Sequence, residues 1–141
     1  MKLKKIPFGL ALFAAVTCVS GFTFGAEKID IGKQEYEANC AICHGTKGEG
    51  DGSYGQFLKS KVPNLTVISK NNGGVFPYAY VYDTIDGRSL IMGHGRDMPI
   101  WGTRYSTEAA QRQWDYESDA ESFVRSRILA LIDYIHRLQK K

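Results

Sequence analysis

Residues 40–44 read Cys-Ala-Ile-Cys-His, and no other stretch restricts so sharply what this chain can fold around. Two thiols two residues apart, followed at once by an imidazole, form the haem c attachment signature. The spacing follows from the chemistry. On a helical turn Cys40 and Cys43 share one face, so both sulfurs can reach the two vinyl groups along one porphyrin edge. His44 is then delivered beneath the macrocycle, where its imidazole can bind the iron. Competing chemistries fit less well. A zinc site needs two further ligands, and the remaining cysteine, Cys18, falls in a segment expected to be removed. A thioredoxin-like redox pair has no use for the histidine.

That removable segment is the start of the chain. Lys2, Lys4 and Lys5 precede an apolar run from Phe8 to Val19, and small residues lead to Gly25 and Ala26 before the charged Glu27–Lys28. This is the pattern of a secretory signal peptide over residues 1–26, with cleavage near Gly25 or Ala26. The run is shorter than the roughly 20 apolar residues that span a bilayer. An uncleaved anchor is the alternative, and Thr17 is a poor residue for lipoprotein processing at Cys18. Export to the periplasm agrees with the motif, because haem c is attached outside the bacterial cytoplasm. The rest of the chain, residues 27–141, is long enough for one domain. Losing the three signal lysines takes 18 basic residues to 15, equal to the 15 acidic ones. A balanced chain is a poor match for nucleic acid.

Asp30 is a good N-cap and predicts a first helix through Ile31 to Asn39. Within it Gly32 and Tyr36 lie four apart on one face. A helical glycine costs about 1 kcal/mol relative to alanine, so Gly32 implies another backbone passing close by. After His44, glycines at 45, 48, 50, 52 and 55 forbid regular structure and predict a loop around the haem edge. A calcium loop is disfavoured, since Glu49 and Asp51 lack the regular ligand spacing. Val62-Pro-Asn-Leu65 reads as a rigid extended turn, and the Pro63 carbonyl is placed to accept the second N–H of the His44 ring. An aromatic stretch follows, Phe76 to Arg88, with a short helix predicted around Tyr80 to Asp86.

An iron held by one histidine needs a sixth ligand, and a thioether raises the potential while closing the site. Met98 is the candidate. Pro99 pushes it toward an extended conformation, and Gly93, Gly95 and Gly102 let its loop fold over a ring. Met92 and His94 are the rivals. Trp101, Arg96, Arg104 and Tyr105 are candidates to hold propionates, with a solvated surface the alternative for the arginines. Thr103 to Glu117 is polar and predicts a surface loop or short helix. Ser118-Asp-Ala-Glu121 then forms a capping box opening a long amphipathic helix, with Val124, Ile128, Leu131, Ile135 and Leu138 on one stripe. His136 lies off that stripe and is expected at the surface. There is no second Cys-x-x-Cys-His.

Three features together resemble the class I monohaem c-type cytochromes of bacteria: Cys40-Ala-Ile-Cys-His44-Gly with its glycine loop, Pro63-Asn-Leu65, and Met98-Pro-Ile-Trp-Gly102. Gly32 with Tyr36, and Leu131 with Tyr134, are similar to that family's paired positions in its crossing terminal helices. The resemblance implies an all-α cytochrome c fold of three to five helices with long loops around one haem. It implies haem c held through Cys40 and Cys43, iron bound axially by His44 and Met98, and electron transfer rather than catalysis. The expected protein is a periplasmic one-electron carrier in a respiratory or dehydrogenase-linked chain, a monomer that meets its donor and acceptor transiently. Two alternatives remain: an electron-accepting cytochrome subunit of a periplasmic oxidoreductase, and a haem enzyme or sensor with a displaceable sixth ligand.

Overall fold

Two helices from opposite ends of the chain cross at Gly32, and the rest of the molecule is arranged around that crossing. The computed structural model describes residues 28–88, 97–111 and 120–141. Six α-helices occur in them: α1 (Ile31–Asn39), α2 (Ala41–His44), α3 (Ile68–Asn71), α4 (Tyr78–Asp86), α5 (Trp101–Gln111) and α6 (Ala120–Arg137), with no strand. Two of the six, α2 and α3, are single turns, and 3₁₀ turns at Gly55–Phe57 and Leu65–Val67 interrupt the loops. The chain has an all-α cytochrome c fold. Residues 1–27 lie outside the described residues, as do the Ser118 end of the capping box and the rivals Met92 and His94.

The Asp30 side chain accepts the Lys33 amide at 3.0 Å and starts α1, as its residue type predicts. A Cβ on Gly32 would collide with the Ala130 carbonyl of α6 and stand 3.1 Å from Tyr134 Cβ. Only glycine lets the two backbones approach this closely. Tyr36 and Tyr134 then pack with tilted rings, 5.0 Å between centroids, and Leu131 is fully buried.

Helix α6 supplies the core. Val124, Ile128, Leu131 and Ile135 are buried as the stripe predicts, and Ile132 joins them. Against this face lie Val81 and Ile85 of α4 and Trp101 and Tyr105 of α5. His136 is exposed, packed on the Phe76 ring and bonded to the Tyr78 hydroxyl at 2.9 Å. Gln139 donates to the Leu65 carbonyl at 2.7 Å, and Lys140 N–H to Thr66 O at 2.8 Å, tying the chain's end to the turn after Pro63.

After Met98 the chain takes the helix rather than the loop of the two expected alternatives. Residues 103–111 form most of α5, which is not confined to the surface, since its Trp101, Tyr105 and Ala109 are buried. These three form one row at spacing four, enough to seat a helix on α6, while polar residues cover the remaining faces. No helix among the described residues is long and apolar enough to cross a membrane.

Candidate haem site

The motif cysteines stand where α1 gives way to α2. Cys40 is the C-cap of α1, donating its N–H to the Tyr36 carbonyl at 2.8 Å, and the one-turn α2 carries Cys43 and His44. A helix this short leaves most of its carbonyls without helical partners. The glycine loop supplies them: Tyr54 N–H donates to Ile42 O at 2.9 Å, Gly52 N–H to Cys43 O at 3.1 Å, and Gly50 N–H to His44 O at 2.8 Å. The loop therefore folds back on the backbone of α2. Gly52 makes this possible, since a Cβ there would strike the Cys43 and Ile42 main chain. Tyr36 adds a tie from α1, its hydroxyl donating to Gly45 O at 2.7 Å.

A cavity of about 320 Å³ opens beside these residues. Cys40, Cys43, His44, Met98 and Trp101 line it, with Leu58 and Ser60 to Pro63 along another side. A second cavity, of about 180 Å³, shares Cys40, His44, Pro63 and Met98 with the first and runs inward along Ile68, Val81, Ile85 and Ile135. The shared walls make one cleft, polar at its mouth and apolar within. Cofactor pockets usually hold roughly 300–1,000 Å³, so the cleft is of the right order.

The side chains fit a haem in other respects. His44 is buried, and its Nδ1 lies 3.3 Å from Pro63 O. A carbonyl only accepts, so Nδ1 carries the proton and Nε2 keeps a lone pair for a metal. Burial holds the His44 pKa below its ordinary value, with the Pro63 carbonyl opposing, and so favours the neutral, ligating form. Burial likewise pushes the Cys40 thiol up to about 12, with the Cys43 charge adding to the effect. Met98 is half-buried against the core. Thr84 Oγ1 is buried in the inner wall with no hydrogen-bond partner among the described residues, a need that a polar group in the cleft would meet. Among the described residues no three His, Cys, Asp or Glu side chains gather as a metal-binding group.

The sequence profile of the family described as cytochrome c oxidase, cbb3-type, subunit III matches residues 27–116. The chain belongs to this family. It is a class I, c-type, monohaem cytochrome-like protein, and membership implies a haem c cofactor. No curated protein and no solved structure matches it.

In this member of the cbb3-type subunit III family, two of the candidates for holding propionates have partners on the protein itself. Arg104 lies over the Trp101 ring at 4.9 Å, and the Tyr105 hydroxyl donates to Glu35 at 3.0 Å. Both border an outer groove and neither lines the cleft. Arg96 lies outside the described residues. Conversely, Tyr80, Val81, Thr84 and Ile85 of α4 form the inner wall. Their i, i+1, i+4, i+5 spacing marks one helical face, a signal masked in the sequence by the flanking tyrosines.

Proposed function

We propose that this protein is a periplasmic one-electron carrier whose single haem c is held by thioethers to Cys40 and Cys43 and ligated by His44 and Met98. Haem-based electron transfer follows from family membership. The ligand set and the compartment are our own reading. One observation carries it: Cys40, Cys43, His44 and Met98, 58 residues apart at the extremes, border one cleft. When bound, the haem supplies an iron that cycles between two oxidation states.

The chain's contribution is to hold that centre still. The Pro63 carbonyl fixes the His44 tautomer and ring orientation. Val81, Ile85 and Ile135 exclude water from the inner cleft, which favours the less charged, reduced state. Soft sulfur at Met98 favours that state too and blocks the sixth position. Electron donors and acceptors dock transiently over a small contact, as redox encounters do.

The test is visible spectroscopy of the reduced, haem-loaded protein under carbon monoxide, combined with a redox titration. A six-coordinate, low-spin spectrum unmoved by carbon monoxide and a single one-electron wave are expected. Rapid carbon monoxide binding would instead identify a ligand sensor or haem enzyme. A second reading rests on the family's description as an oxidase subunit: the protein is a cytochrome subunit of an oxidoreductase complex. Co-purification of the native protein in a stable stoichiometric complex decides for it, and recovery as a monomer decides for the carrier.

A further inference from the structure

Three helix ends meet around one arginine. Arg88 Nε donates to Asp86 Oδ1 at 2.8 Å, while its Nη1 and Nη2 donate to the two Glu121 oxygens at 2.8 Å each. Asp86 ends α4 and is only 8 % exposed; Glu121 lies in the first turn of α6. The third end is that of α5. Gly102 is buried there, and a Cβ on it would stand 2.7 Å from both Arg88 Nε and Asp86 O while colliding with the Asp86 carboxylate. The first turn of α5 therefore rests directly on the Asp86–Arg88 pair, with the carboxylate at the helix end that favours negative charge. Met98 and Trp101, which line the cleft, come just before.

Taking Met98 as the iron's sixth ligand, we propose that Arg88 is a positioning residue for Met98. By bridging Asp86 and Glu121 it locks the start of α5 between α4 and α6, and so holds Met98 over the cleft against competing ligands. The fork of the guanidinium matters: three separate nitrogens serve two carboxylates, which a lysine ammonium cannot reproduce. Without that bridge, the buried Asp86 charge loses its partner and the base under Gly102 loosens.

The experiment measures imidazole affinity of the ferric, haem-loaded, full-length protein by visible spectroscopy. Arg88→Ala should raise the affinity roughly tenfold, the equivalent of about 1.4 kcal/mol, and Arg88→Lys should leave most of that gain in place. Glu121→Gln, which keeps the buried Asp86–Arg88 pair, should give a smaller gain and serves if Arg88→Ala does not fold. The Arg88→Ala/Met98→Ala double variant should bind imidazole no more tightly than Met98→Ala alone. Unchanged affinity in both Arg88→Ala and Glu121→Gln overturns the proposal. So does a double variant in which the Arg88 effect adds in full, because the arginine then acts on general stability. If Met98→Ala alone does not raise imidazole affinity, the ligand assignment itself has failed, a result separable from either outcome for Arg88.

Discussion

Gly32 of α1 lies directly on the Ala130 carbonyl of α6, so closely that any side chain would overlap that oxygen. The overlap is with backbone, which cannot rotate away. Gly32→Ala should therefore destabilise the protein by about 3 kcal/mol or more, although alanine is the better helix former. Denaturant unfolding of the haem-loaded protein measures this. A neutral or stabilising substitution would show that the helices do not cross here.

Met98→Ala removes the proposed thioether. The midpoint potential should fall by on the order of 100 mV or more, because axial ligands tune haem over a range of about 0.8 V. Imidazole and cyanide should bind the ferric protein readily. Unchanged midpoint and spectra would eliminate Met98 as a ligand.

Thr84 carries a buried hydroxyl on the inner wall of the cleft without a partner among the described residues. If the bound cofactor or its ordered water accepts from it, Thr84→Val should cost about 1 kcal/mol of stability in the haem-loaded protein. The sign is informative in differential unfolding measurements. A gain in stability would mean that the hydroxyl stays unsatisfied with haem in place.

Tyr105, which the sequence assigned to a surface segment, is buried and donates to Glu35, a carboxylate that also accepts from Asn39 and pairs with Arg127. Tyr105→Phe keeps the ring packing and removes one charge-assisted bond. A loss of about 1.5–3 kcal/mol is expected in equilibrium unfolding. A loss below a few tenths would indicate that Arg127 and Asn39 alone satisfy Glu35.

Acid should weaken the fold through exposed pairs that bridge distant parts of the chain. Asp30 is lowered chiefly by the Lys33 amide and also by Arg137, Glu49 by Lys140, and Glu121 by Arg88. A carboxyl lowered in the folded state contributes stability above its unfolded value, and loses it as pH falls through the folded value. The denaturation midpoint should thus hold steady down to about pH 4.5, the ordinary glutamate value, and drop below it. Salt should blunt the drop, as the groups are exposed. Lys140→Met should remove part of it, and an acid limb identical to that of the parent protein would discount the Lys140–Glu49 pair.

What the sequence determined by itself was everything written at fixed short spacing. Cys40-Ala-Ile-Cys-His44 announced the haem chemistry, Asp30 the start of α1, Gly32 a close helix crossing, and the Val124–Ile135 stripe the buried face of α6. Each of these depends on the geometry of a single turn or helix, which local residue types dictate. Tertiary structure decided which faces meet. It buried α5 through one row of three residues, folded the glycine loop onto the bare carbonyls of α2, and set the Tyr105 hydroxyl on Glu35. It also set Arg88 between two carboxylates 35 residues apart in sequence. Such partners share no local pattern. They are chosen by the global packing that buries the most apolar surface while leaving few polar groups unpaired.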